Sequence, residues 1–400
     1  MRVVVISARV GGHWSAGHAI VEELSASLPA DAEIELVDIF GRPYARRGFD
    51  AVAHFYETCT RKFPFVCSSL FVLTNGNKRL RFIEAFQKGN FSHRAIEDLL
   101  TPRPDLIVSD ALNFGQLDVV QDVLSETGTH VPLVVVVTDP VTIHWGWQAS
   151  NADRYLVGTE LAADQVMSEF DVRPEDIHVT GLPVRAAFRQ PRDKAAARRA
   201  LGLDPNVFTA LFMGGTSGAG NIEQFVGALQ ETDLPVHSIA IAGRNERLRR
   251  QLEETFDRNR VRAYGFVDNV HEFMQAADLL VTKAGPGTIV EALACGVPIC
   301  ISGHFPWTER GNTDYYVNRG CAMHVETPEE LANRMRAILA GKDDAYERLK
   351  AGAWETSRSE AAESLGRELA GMIGYGGRDV GVRAPTQSAG VLAASQQTNG

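Results

Sequence analysis

The chain of 400 residues is poor in cysteine. Cys59, Cys67, Cys295, Cys300 and Cys321 form no Cys-x-x-Cys pair and have no histidine partners at zinc spacing. An odd, scattered set of this kind argues against a disulfide framework and fits a reducing, cytoplasmic setting. Long apolar runs are also missing: no stretch approaches the roughly 18 residues of a spanning helix, so any membrane contact is expected to be peripheral. The dinucleotide fingerprint G-x-G-x-x-G does not follow the first strand. Positive charge is not in excess. The net charge of −10 argues against general nucleic-acid binding, while leaving room for a local basic patch facing phosphates or anionic lipid. The opening run Met1-Arg-Val-Val-Val-Ile6 is too short for a signal peptide and reads as a first core strand. Residues 376–400 hold no aromatic and many Gly, Ser, Gln and Thr, and are expected to form a disordered tail.

With 44% apolar and 22% charged residues, the composition is that of a globular protein, and the length suggests two domains of roughly 150 residues or more. The chain is organised around the run 277–302. Residues 278–281 read as a strand, Gly285-Pro286-Gly287 as a turn, 288–295 as a helix and 297–301 as a second strand, which is one βαβ unit. Pro286 suits a first helical turn, and the glycines admit a ligand close to the backbone. The free N–H groups and the dipole of that helix start favour an anion. Glu291 lies in the first turns, where it can reach a ribose or stand simply as a solvated acid.

Residues 3–6, 33–37, 105–110, 132–139 and 154–157 read as further strands of an α/β fold. His13 lies in a glycine turn at the end of the first, and a helix follows with Ala19, Ile20, Leu24 and Leu28 on one face. Parallel strands that end in polar groups would bring His13, Asp110 and Asp139 around one crevice. There His13 fits a catalytic base and a turn cap alike. Asp110 or Asp139 can orient it, or cap its own turn. His144 and Trp147 follow on the same rim. Between residues 40 and 95, aromatics (Phe40, Tyr44, Phe49, Phe91 among them) alternate with Arg42, Arg46, Arg47, Lys88 and other cations. That interleaving suits either an interfacial segment on an anionic membrane or a helical insert packed on the domain. Residues 185–206 read as a charged, helical hinge. Beyond it the pattern restarts, with a glycine loop at Gly215–Gly218, Arg244 after the next strand, Phe266 after the one following, and helices over 327–372.

Several of these runs resemble one family. Val10-Gly-Gly-His13 is similar to the glycine-histidine opening of the monogalactosyldiacylglycerol synthases and processive diacylglycerol glucosyltransferases of glycosyltransferase family 28. Thr138-Asp139, His144 and Trp147, the hinge Gly181-Leu-Pro183-Val-Arg185, Met213-Gly-Gly-Thr-Ser-Gly218, Gly243-Arg-Asn245, Gly265-Phe266, Lys283-Ala-Gly-Pro-Gly-Thr288 to Glu291, and Glu309-Arg-Gly-Asn312 also resemble its segments. The resemblance runs from about residue 2 to residue 340. It implies a GT-B fold, two Rossmann-like domains facing across a cleft: residues 1–184 for the acceptor, with a membrane-facing insert at about 40–95, and residues 185–375 for a nucleotide sugar. It implies a UDP-galactose or UDP-glucose donor, with uracil near Phe266, ribose on Glu291, diphosphate on Gly215, Gly218, Gly287 and Thr288, and sugar on Glu309 and Asn312. His13, beside Gly12, takes the general-base position. A lipid acceptor, diacylglycerol in this family, and a peripheral place on the inner face of the cell membrane follow from the same likeness. Three positions depart from the family pattern: Val10 stands where the turn has a glycine, and Trp307 and Thr308 stand where Gly-Gln precedes Glu309.

No Asp-x-Asp pair occurs, so neither a metal nor a cofactor is expected to hold the diphosphate. An activated acceptor hydroxyl would invert the anomeric centre. Three other readings stay open: a GT-B transferase acting on a soluble metabolite, a UDP-sugar epimerase of the same architecture, and a sugar-nucleotide-binding protein without activity. Incubation with UDP-sugars alone separates epimerase from transferase, and sedimentation with anionic liposomes separates a lipid enzyme from a soluble one.

Overall fold

A computed structural model describes residues 1–9, 12–46, 88–128, 130–190, 193–216, 220–303, 309–341, 344–359 and 363–375, with isolated positions at 66, 69, 72–76 and 218. Val10, Trp307, Thr308, most of the 40–95 insert and the tail 376–400 lie outside the described residues.

Two parallel six-stranded sheets carry the chain. The first joins β1 (Arg2–Ser7), β2 (Glu33–Asp38), β3 (Leu106–Ser109), β4 (Leu133–Val137), β5 (Arg154–Val157) and β6 (Ile177–Val179) in the order β2-β1-β3-β4-β5-β6. The second joins β7 (Phe208–Met213), β8 (Val236–Ile241), β9 (Val261–Tyr264), β10 (Leu279–Lys283), β11 (Ile299–Gly303) and β12 (Ala322–His324) in the order β12-β11-β10-β7-β8-β9. Strand β1 is buried at every residue, as its continuous β-branched run implies for a strand covered on both faces. Strand order reverses beside β1 in one sheet and between β7 and β10 in the other. At such switch points neighbouring loops part and leave a crevice outside the carboxyl ends of the strands.

Helix α1 (His13–Ser27) follows β1 and buries Ala16, Ala19, Ile20 and Leu24, the face read from its periodicity. Helix α2 (Ala186–Arg189) begins the hinge. Helix α3 (Pro286–Ala294) follows β10, and α4 (Arg310–Asn318) precedes β12. The last helix, α5 (Glu363–Gly371), departs from the sequence reading, which gave residues 185–375 to the second domain. Leu365, Leu369 and Ala370 pack instead with Val3, Val5, Ile20 and Leu24 of the first. A methyl group on Gly366 would lie 2.5 Å from Ser27 Oγ and 2.9 Å from the Glu23 carbonyl, so only glycine lets α5 lie this close to α1. Glu368 completes the docking, accepting from Arg154 at 3.2 Å and lying 3.0 Å from His178 Nδ1.

At its described ends, the 40–95 insert fits the packed alternative. Phe91 is buried, and Phe40 and Tyr44 pack against the same core, so these aromatics serve the domain rather than a lipid surface. Phe40 lies 6.0 Å from both Phe91 and Phe114. Lys88 pairs with Asp122 at 2.5 Å on the domain's own surface.

Candidate functional site

His13 is the first residue of α1, at the carboxyl end of β1. Its Nδ1 stands 2.7 Å from the backbone carbonyl of Asp110, just past β3. A carbonyl only accepts, so Nδ1 carries the proton and Nε2 is left as the basic nitrogen. Thr138 Oγ1 is 3.5 Å from the same Nδ1. Burial pushes the His13 pKa below its ordinary value, which keeps the ring neutral near pH 7.

The two acids do not play the part that the sequence suggested. It is the main chain of Asp110, not its carboxyl, that fixes the His13 tautomer. The Asp110 side chain is fully buried, and burial raises its pKa to about 8, so at neutral pH it is largely uncharged. Asp139 Oδ2 instead accepts the indole N–H of Trp147 at 2.7 Å. Trp147 is 1% exposed, and its ring packs 5.7 Å from that of His13. Among the described residues, Asp139 connects to His13 through Trp147. Burial raises its pKa to about 6, although the indole hydrogen bond favours the charged form. His144 is buried and turned inward as well. Its Nδ1 accepts from Gly146 N–H at 2.9 Å and its Nε2 lies 3.2 Å from Thr74 Oγ1, so it shapes the loop that holds Trp147.

The second sheet brings its turns to the same cleft. Gly215 and Gly218 have φ of +70° and +59°, and Gly243 +56°. A Cβ on Gly218 would lie 2.1 Å from the Ala242 carbonyl, and one on Gly243 2.4 Å from that of Thr216. The loops after β7 and β8 are thus locked back to back, with Arg244 N–H donating to Thr216 at 2.8 Å. A Cβ on Gly215 would meet nothing within 4 Å among the described residues. The Arg244 guanidinium lies 5.6 Å from the ring of Phe266, which is 57% exposed and offers an open aromatic edge.

Helix α3 opens at Gly285, with Pro286 in its first turn. Gly287 and Thr288 come next, where helix geometry leaves N–H groups without partners. Gly12, at the start of α1, faces this end: a Cβ on Gly12 or Gly287 would lie 3.9 Å from the other's Cα. Two helix N-termini from two domains therefore point at one space, which suits a ligand carrying negative charge. Glu291, one turn into α3, accepts from Ser15 Oγ at 2.9 Å. Burial raises its pKa to about 7, with Arg185 opposing. Glu309 pairs with Lys283 at 2.6 Å. Asn312 Nδ2 donates to the Ala284 carbonyl at 3.1 Å. The domains touch elsewhere too. Glu22 accepts the Ala186 N–H at 2.6 Å, Glu23 pairs with Arg189, and a Cβ on Gly311 would lie 2.8 Å from Thr142 Oγ1.

The structure thus gathers His13, Gly12, Gly287, Thr288, Glu291, Glu309 and Asn312 about one cleft. His144 and the Asp110 carboxyl stand behind it. Sequence reading missed Ser15 and Lys283. Ser15 carried no signal, because its partner lies in the other domain. Lys283 carried a weak one, since it closes the strand Leu279–Lys283 directly before the glycine turn.

Residues 13–184 match the family model for monogalactosyldiacylglycerol (MGDG) synthase, and residues 193–355 match that for glycosyl transferases group 1. A probable monogalactosyldiacylglycerol synthase 2, chloroplastic, of Oryza sativa subsp. indica is 30% identical over 290 residues, 70% of this chain and 61% of the relative. The processive diacylglycerol beta-glucosyltransferase of Bacillus subtilis (strain 168) is 28% identical over 270 residues, 67% of this chain and 68% of the relative. The chain spans about three fifths or less of the length of the first plant relatives it matches. Among solved structures, Anabaena Alr3699/HepE in complex with UDP-glucose superposes with a TM-score of 0.58 at 16% identity, covering 93% of this chain and 99% of that one. WaaG, a glycosyltransferase involved in lipopolysaccharide biosynthesis, superposes with a TM-score of 0.57 at 12% identity, covering 94% and 100%. These neighbours show the fold as GT-B, two Rossmann-like domains.

Proposed function

We propose, for a chain whose residues 13–184 match the family model for monogalactosyldiacylglycerol synthase and whose residues 193–355 match that for glycosyl transferases group 1, that it is a UDP-sugar-dependent hexosyltransferase. It moves galactose or glucose from UDP to the free hydroxyl of 1,2-diacylglycerol, with inversion at the anomeric carbon. One observation carries this reading: the base-bearing start of α1 faces the anion-favouring start of α3 across the cleft, Gly12 against Gly287.

The donor lies on the second domain, with its diphosphate at Gly215, Gly218 and the α3 start, its uracil near Phe266, its ribose on Glu291 and its hexose toward Glu309 and Asn312. The acceptor enters from the first domain. Its hydroxyl oxygen attacks C1 as its proton passes to His13 Nε2, a step worth roughly 10²–10⁴-fold. The bond from C1 to the phosphate oxygen breaks, and UDP leaves with the electron pair. Backbone N–H groups stabilise that charge without reorganising. Contacts such as Ser15 with Glu291 close the cleft and limit hydrolysis of the donor.

The acceptor implies a membrane, and none of the helices among the described residues is long and apolar enough to cross one. The protein works as a peripheral enzyme on the cytoplasmic face of the cell membrane, docked through the 47–87 portion of the insert. The exposed side chains of Val66, Val72 and Leu73 support this part of the reading.

Radiolabelled UDP-galactose and UDP-glucose, incubated with dispersed diacylglycerol and separated by thin-layer chromatography, test the whole. Label should move into a chloroform-soluble glycosyl-diacylglycerol. Interconversion of the two nucleotide sugars without acceptor would favour the epimerase instead.

A further inference from the structure

We propose that Lys283 is a further substrate-contacting residue: its ammonium, held at the start of α3 by Glu309, takes up the charge of the donor's departing diphosphate. This deepens the donor-site reading above and rests on it. Strand β10 ends at Lys283 with a register shift against β11 between Thr282 and Lys283, an irregularity of the kind that re-aims a side chain at a strand end. The Lys283 Nζ lies 2.6 Å from Glu309 Oε1, and the two side chains are only 23% and 11% exposed. A Cβ on Gly285 would lie 2.9 Å from that Nζ and 3.7 Å from that Oε1, so the pair rests directly on the backbone that opens α3. Asn312 supplies an independent sign of a ligand. Its Nδ2 donates to Ala284 O, while its Oδ1 is buried and has no hydrogen-bond partner among the described residues, an acceptor that fits a hydroxyl of the same donor's hexose rather than its phosphate. Three polar side chains from two elements thus converge on residues 284–287.

Stability alone is a weak reason for this arrangement, because a buried ion pair gains little over well-packed apolar groups. Glu309 does not spend its carboxylate on its own helix either. It sits at the N-cap of α4 with no capping hydrogen bond. A departing nucleoside diphosphate gives the arrangement a chemical purpose. As the bond from C1 to the phosphate oxygen breaks, its electron pair goes to that oxygen. A cation already fixed beside the helix start stabilises the new charge with no solvent to reorganise. No proton is needed from Lys283, since the acceptor's proton goes to His13. Glu309 holds the ammonium in place between turnovers.

Lys283→Met and Lys283→Arg test this by their affinities for UDP and for uridine, the latter measured by calorimetric displacement. A charge-assisted contact to phosphate predicts that the Met variant binds UDP about tenfold or more weakly. Its affinity for uridine, which has no phosphate, should change by less than about twofold, and Arg should restore most of the UDP affinity by keeping the charge. An equal loss for both ligands would make Lys283 a packing residue, and unchanged UDP affinity would make it only the counter-ion of Glu309. Failure of the wild-type protein to bind UDP would instead strike the donor-site reading itself.

Discussion

At the scale of single residues, burial decides which acids and bases can act. Asp110 is the clearest case. Its folded pKa of about 8 stands above the ordinary carboxylate value near 3.9, so folding takes up a proton at this site. The stability it contributes is fully present below about pH 4 and is lost as pH rises toward 8. Asp110→Asn removes the titrating proton and leaves the main-chain carbonyl that holds His13. Thermal melts at pH 5 and pH 8 should show a smaller loss with pH in the variant than in the wild type, and kcat should stay within about threefold, because an uncharged carboxyl adds little to the orientation of a ring already fixed by the main chain. Parallel melting curves, or a hundredfold fall in kcat, would return the orienting role to the carboxyl. From sequence, Asp110 and Asp139 look alike, each closing an apolar strand. Only the fold shows that one is sealed beneath β1 while the other holds Trp147.

At the scale of elements, most of the chain was legible. Continuous β-branched runs named the strands, and Gly285-Pro286-Gly287 named the start of α3. The short edge strand β12 escaped notice, because three residues, Ala322–His324, carry too little period to read. The glycine loops were legible as turns but not as partners. That Gly218 packs against Ala242 depends on two strands, β7 and β8, lying side by side. Gly218→Ala meets both a left-handed φ and a backbone carbonyl at 2.1 Å, whereas Gly215→Ala meets a left-handed φ but no atom within 4 Å among the described residues. The first should lower stability by more than roughly 2 kcal/mol, and the second by about 1 kcal/mol. Chemical denaturation of both variants decides the matter. Equal losses would mean that the interlock of the two loops carries no weight.

At the scale of the whole molecule, the chain closes on itself. The hinge leads out of the first domain at α2, and α5 returns to cover β1 and α1. No local pattern announces that return, since an amphipathic helix looks the same whichever domain receives its apolar face. Leu369 is fully buried there, and truncation of a buried leucine costs about 2–5 kcal/mol. Hydrogen exchange in Leu369→Ala should therefore speed up in β1 and α1 while β7 and β10 keep their protection. Faster exchange confined to the second sheet would show that α5 belongs to that domain, as the sequence suggested.

The division of labour across the cleft is the central claim: base on the first domain, donor on the second. His13→Ala tests it most directly, with turnover and UDP affinity measured on the same preparation. Turnover should fall by roughly 10²–10⁴ while the UDP dissociation constant stays unchanged. Near-normal turnover, or a loss of UDP binding equal to the loss of rate, would contradict the assignment of His13 as the base that activates the acceptor.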